Sequence, residues 1–99
     1  MNGTLVVAPA HLGARNRIAF YEEALEAMAA IAGSGIESPS LVVDMSQTTG
    51  IDSMGLSTLV LLQLRAAERK MSVTLRGPSE EVRFLLLMTR LEDRFNIER

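Results

Sequence analysis

Leu41-Val42-Val43-Asp44-Met45-Ser46-Gln47-Thr48-Thr49-Gly50-Ile51-Asp52-Ser53-Met54-Gly55-Leu56 is the stretch that decides the fold. Leu41 to Met45 is a short apolar run of the kind buried in a parallel sheet. Its polar ending, Asp44, Ser46, Gln47 and Thr48, puts hydrogen-bonding groups beyond the carboxyl end of the strand, where open α/β sheets place their sites. A helix is predicted to begin after Asp52-Ser53 and to run to about Arg69. Either side chain can serve as N-cap by accepting a free backbone N–H.

Upstream, Leu5-Val6-Val7-Ala8 reads as a strand stopped by Pro9 and therefore near a sheet edge, since proline cannot donate to a ladder. His11-Leu12-Gly13 has room for a second, very short strand. From Asn16, a plausible N-cap, to Ala32 the pattern is helical: Phe20, Ala24, Met28 and Ile31 share one stripe, Tyr21, Leu25, Met28 and Ala32 its neighbour, and Glu22, Glu23 and Glu26 lie outside. Gly33-Ser34-Gly35 is the stop signal, and the loop runs on through Pro39. Downstream come a strand at Ser72-Val73-Thr74-Leu75, a turn at Gly77-Pro78, and a third helix from Ser79 to about Leu91. Ser79 caps that helix, and Glu80 and Glu81 sit at the positive end of its dipole. Strand and helix alternate along the chain, which implies a mainly parallel sheet joined by right-handed crossovers.

Composition narrows the function. Ninety-nine residues with 47% hydrophobic content are enough for one core and too few for two. There is no cysteine and only one histidine, so disulfides, iron–sulfur clusters, a thiolate nucleophile and a structural zinc site drop out. A net charge of −2, with both signs mixed along the chain, leaves no basic stripe for nucleic acid. Met1-Asn2-Gly3-Thr4 is not the start of an export signal and no apolar run approaches a membrane span, so the expected location is cytoplasmic, with no direct membrane insertion. Ser53 lacks a Gly-x-Ser-x-Gly elbow and a base, since His11 lies in an N-terminal loop without an accompanying motif; catalysis is not expected. Asp44 and Asp52 read as a strand-end acceptor and a cap ahead of a magnesium pair. Neither a cofactor nor a metal is expected.

Asp44-Met45-Ser46, a turn, and Ile51-Asp52-Ser53-x-Gly55-Leu56 with Leu59 following resemble the signature of STAS domains, specifically the anti-sigma factor antagonists. The resemblance continues through Ala66, Val73-x-Leu75, Pro78-Ser79, Val82, Leu91, Phe95 and Ile97. It implies a single small STAS-like α/β domain over residues 1–99, with a mixed, mostly parallel four-stranded sheet flanked by three to four helices. It also implies a phosphoswitch. An anti-sigma factor with GHKL-type serine kinase activity phosphorylates the serine matching Ser53; the unmodified antagonist sequesters that kinase, and a PP2C-type phosphatase resets the modified one. Such a module regulates transcription by partner switching.

The partner-binding set expected from this resemblance and from the helix pattern is Asp44, Ser46, Asp52, Ser53, Met54, Gly55, Leu56, Ser57 and Leu61. A phosphoserine at a helix N-terminus meets exposed N–H groups, so the switch is expected to act at the interface and leave the fold intact. Gly55 is expected to let a partner's backbone approach. Leu56, Leu59, Val60, Leu61, Leu62, Leu64, Ala66 and Ala67 spread round more of the second helix than the roughly 100° stripe a surface helix needs, which leaves either two buried sides or a docking patch beside Ser53. If Leu61 faces outward, Leu61→Glu weakens binding and leaves the far-ultraviolet circular dichroism unchanged.

Three features depart from the family pattern. The N-terminal strand region is short and divergent, with His11-Leu12-Gly13-Ala14 where a Gly-x-Leu-Asp segment is usual. Met54 stands where a small residue is usual, and Lys70-Met71 replaces a glycine turn. Two other uses of such a domain remain open: a subunit docked on the ATPase of a lipid-transport ATP-binding-cassette complex, and a stressosome-type scaffold component.

Overall fold

Side-chain alternation along the strands sorts this domain into a covered and an uncovered face. In the computed structural model, which describes residues 3–99, the main sheet is built from β1 (Gly3–Val7), β3 (Ser40–Asp44), β5 (Ser72–Arg76) and β6 (Asn96–Glu98), in the order β1-β3-β5-β6. Met1 and Asn2, part of the segment read above for an export signal, lie outside the described residues. Every pairing among the described residues is parallel, with Leu5, Val42, Thr74 and Asn96 in one cross-strand row and Val6, Val43, Leu75 and Ile97 in the next. As Pro9 implies, β1 is an edge strand.

Val6, Leu41, Val43, Val73 and Leu75 point to the face that carries the core. They meet Phe20, Ala24, Met28 and Ile31 of α1 (Arg17–Ala32), Leu59, Leu62 and Ala66 of α2 (Ser53–Glu68), and Val82 and Leu86 of α3 (Glu80–Met88). All three helices therefore share one side of the sheet. Each fully buried leucine contributes about 1.5–3 kcal/mol by leaving water. The other face carries Leu5 and Val7, both exposed, with Val42, Thr74 and a hydroxyl pair, Ser40 to Thr74, at 2.9 Å.

Several local features differ from the sequence expectation. The fourth strand of the sheet is β6, three residues that follow a 3-10 turn at Glu92–Arg94. The short N-terminal strand, β2 (His11–Leu12), forms its own two-stranded ladder with β4 (Gly50–Ile51), which spans the end of the expected turn and the Ile51 that follows it. Helix α3 ends at Met88, earlier than expected. Asn16 occupies the N-cap position of α1 but makes no capping bond. Its side chain instead accepts from the Gly13 N–H at 3.0 Å and donates to the His11 carbonyl at 2.7 Å, closing the β2–α1 loop.

Both α2 and α3 stop in the same way. Lys70 and Arg90 adopt left-handed backbone, φ 58° and 60°. Met71 N–H reaches Ala66 and Lys70 N–H reaches Ala67; Leu91 N–H reaches Leu86 and Arg90 N–H reaches Leu87. These are the paired bonds of a Schellman stop, normally built on glycine. Lys70-Met71, which replaces the family's glycine turn, is this stop with a side chain in the glycine position.

Candidate functional site

The N-terminus of α2 is bolted to β2 by backbone. Ala10 carbonyl accepts from Thr49 N–H at 2.8 Å, and Leu12 carbonyl accepts from Asp52 N–H at 3.2 Å. Thr48, fully buried, donates its hydroxyl to the Pro9 carbonyl at 2.9 Å. The first turn of α2 thus starts from a fixed platform. Gly55 completes it: a Cβ there would stand 2.2 Å from the Leu12 carbonyl oxygen and 2.9 Å from Ile51 Cγ1. Gly55 is buried, which corrects its expected role. The backbone that it admits is the chain's own β2, and a partner's backbone has no access to it.

Asp52 is the N-cap. Its extended backbone (φ −100°, ψ −178°) turns Oδ1 onto the Gly55 N–H at 2.9 Å, while Oδ2 accepts from Ala14 N–H at 3.2 Å. The Gly55 N–H is the main cause that holds this carboxyl below the ordinary aspartate range. Partial desolvation opposes it, and the Ala14 and Met54 N–H groups and nearby His11 add to it. His11 Nε2 lies 3.8 Å from Asp52 Oδ2. The ring fits there because Gly13 and Gly50 flank it: a Cβ on Gly13 would reach 2.9 Å from Nε2, and one on Gly50 2.8 Å from Nδ1.

The result is a shallow depression of about 460 Å³ lined by His11, Ala14, Arg15, Asn16 and Asp52, beside the start of α2. Sequence reasoning missed this surrounding. The sequence places His11 in a loop without an accompanying motif, and its only signal there is the pair of small glycines, 13 and 50, that admit it.

Ser53 follows Asp52 as the first helical residue and is exposed. Its carbonyl accepts from the Ser57 hydroxyl at 2.7 Å, and the Met54 carbonyl accepts from Thr58 at 2.8 Å. Among the described residues no side chain engages the Ser53 hydroxyl. From there an outer stripe climbs α2 at helical spacing through Met54, Ser57, Leu61 and Leu64. Met54, Ser57 and Leu64 are exposed and Leu61 is half-buried, whereas Leu56 is half-buried against the core.

Asp44 and Ser46 belong to another corner. Asp44 Oδ1 accepts from Ser46 N–H at 2.9 Å in a tight turn at the end of β3, and Ser46 lies against Gly77 after β5. The Ser46 backbone N–H and then its hydroxyl hold the Asp44 carboxyl below its ordinary range against slight desolvation, with Arg76 adding to the effect. The structure thus gathers Asp52, Ser53, Met54 and Ser57 on one surface with Leu61 above them. Asp44 and Ser46 stand apart on the β5 side. No cluster of three or more histidine or acidic side chains able to hold a metal occurs among the described residues.

A family model described as "Mlab, STAS domain" matches residues 6–98. No curated protein matches. Among solved structures, a Thermotoga maritima protein titled as a candidate anti-sigma factor antagonist superposes with a TM-score of 0.76 at 21% identity, over 96% of this chain and 79% of its own. Murine Solute Carrier 26 family member A9, an anion transporter, gives 0.71 at 18% identity over 97% of this chain, which corresponds to only 16% of the transporter. A sulfate transporter family protein from Wolinella succinogenes gives 0.67 at 13% identity, over 100% of this chain and 79% of that one. At these identities the likeness is one of fold.

Proposed function

The chain belongs to the STAS-domain family, and from that premise we propose that it is a phosphorylation-controlled binding module that works by partner switching. Unphosphorylated, the surface around Ser53 sequesters an anti-sigma factor that is also a GHKL-type serine kinase. Phosphorylated, it lets go, and a PP2C-type phosphatase resets it. A cytoplasmic setting, a single domain over residues 1–99 and the absence of catalysis by the domain itself belong to this reading.

The observation that carries it is the position of Ser53: exposed, first in α2, and relieved of capping duty by Asp52. Because Asp52 makes the capping bond, esterifying the Ser53 hydroxyl removes no hydrogen bond that holds the helix. The phosphate joins the free N–H groups of the first turn, where negative charge is tolerated. It adds about −1.5 to −2 charges beside the Asp52 carboxylate, at the foot of the Met54, Leu61 and Leu64 stripe. An apolar docking surface that gains this charge must desolvate it on every encounter, which lowers affinity while the fold stays intact.

The test is incubation with the kinase-type anti-sigma factor and ATP, followed by mass spectrometry and titration calorimetry. The expected result is one phosphate on Ser53, none on Ser53→Ala, and at least tenfold weaker binding by Ser53→Asp. Phosphate on another residue, or unchanged affinity of Ser53→Asp, overturns the reading. A second reading draws support from the Mlab description of the matching family model: the same surface docks permanently on the ATPase of a lipid-transport ATP-binding-cassette complex. Copurification with such an ATPase, undisturbed by Ser53→Asp, would favour it.

A further inference from the structure

Helix α3 buries Val82 and Leu86 and leaves a contiguous apolar face in water. Phe84 is 61% exposed, Leu87 55%, Met88 64% and Leu85 37%. Four large apolar side chains gathered on nine residues form the kind of patch that marks an interaction site. The relief of this face is shallow. Phe84 separates two depressions, one of about 520 Å³ lined by Glu80, Glu81, Phe84 and Leu85, the other of about 200 Å³ lined by Glu80, Arg83, Phe84, Leu87 and Glu92. A second apolar surface can lie against Phe84 on either side.

The charges are ordered along the same helix. Glu80 and Glu81 occupy its first turn, and Arg90 follows its C-cap. Two copies laid parallel would set carboxylates against carboxylates. Laid antiparallel, they set Glu81 of each beside Arg90 of the other and oppose the two helix dipoles favourably. Arg83, Glu80 and Glu92 all line the second hollow, and no ion pair joins them among the described residues. A two-fold axis across α3 therefore sets unlike charges against each other at both ends of the patch, as an isologous contact requires.

We propose that the exposed face of α3 is a self-docking surface, on which two copies of the chain pair antiparallel with each Phe84 seated in the hollow beside the other's. The patch lies on one short helix, roughly 13 Å long at 1.5 Å per residue. It is smaller than the roughly 800 Å² per partner of a standard interface, so the dimer is weak and concentration-dependent. It uses a different element from the Ser53 surface and does not depend on the function proposed above.

Sedimentation equilibrium of the whole chain at low salt, from low micromolar to near-millimolar concentration, tests it. The expected result is a monomer–dimer equilibrium weakened tenfold or more by Phe84→Glu, weakened by Glu81→Arg and by Arg90→Glu separately, and recovered when those two reversals are combined. Circular dichroism checks that each variant folds, and Leu87→Lys takes the place of Phe84→Glu if the latter does not. A monomer throughout the range overturns the proposal, as does a dimer indifferent to these α3 variants. A dimer abolished by Val7→Lys on the open edge strand β1 while α3 variants leave it intact would also overturn it.

Discussion

At the scale of single residues, two positions tie the sequence to its local geometry in opposite senses. Gly55 has no space for a side chain: the Leu12 carbonyl oxygen would lie 2.2 Å from any Cβ. Gly55→Ala is expected to push the first turn of α2 away from β2 and to cost about 1–3 kcal/mol, the usual range for overpacking a filled site. The measurement is urea unfolding followed by circular dichroism; a loss well under 1 kcal/mol would mean that α2 is not seated on β2 as described. Lys70 is the converse case. It holds a left-handed backbone at φ 58° that favours glycine, because its Cβ crowds the neighbouring carbonyl. Lys70→Gly is expected to stabilise the domain by up to about 1 kcal/mol, the relief of the backbone penalty less the entropy that glycine loses on folding.

At the scale of elements, α2 carries the core on one side and an unsatisfied apolar stripe on the other. Leu62 is fully buried, and Leu62→Ala is expected to cost about 2–5 kcal/mol by transfer and cavity formation. Leu64, 46% exposed, is two helical turns beyond Ser57 on the outer stripe. Leu64→Glu is expected to change thermal stability by no more than about 0.5 kcal/mol while weakening docking of the Ser53 partner in a pull-down or calorimetric titration. Leu61 is a blunter probe than the sequence implied, because it is half-buried and its replacement by Glu also touches packing. The periodic runs of α1, α2 and α3 and the caps of α2 and α3 were legible in the sequence since each is announced locally: apolar residues at helical spacing in all three, and an Asp or Ser before the first turn of the last two. Strands β4 and β6 were not, because two or three residues carry no periodicity. They become strands only when a neighbour supplies the ladder. Asn16 shows the limit of such signals, for a residue type that caps helices closes the preceding loop instead.

At the scale of the whole molecule, the site is assembled from segments that sequence distance hides. Ala14 N–H meets the Asp52 carboxylate across 38 positions, and His11 joins the same carboxylate. Ser53, Asp52 and Met54 were readable as one segment, but the His11 and Arg15 wall beside them arises only when β2 pairs with β4. The same assembly sets the response to acid. Asp44 and Asp52 have folded-state pKa values below the ordinary 3.8, each because backbone N–H groups stabilise the charged form. A depressed carboxylate binds its proton more weakly folded than unfolded. Its stabilising contribution is complete above pH 3.8 and is lost as the pH falls through the lower folded value. Thermal midpoints recorded from pH 6 down to pH 2, estimates bracketing that ordinary value, should hold nearly level at first as far as these two groups are concerned and then fall. Asp52→Asn should shorten that fall more than a remote change such as Glu37→Gln, and Asp44→Asn should shorten it independently, because the two carboxylates sit in separate corners. If the Asp52→Asn curve ran parallel to wild type through the acid limb, the capping bond would not be the origin of the depressed carboxyl, and the rigid platform argued for Ser53 would lose its electrostatic support.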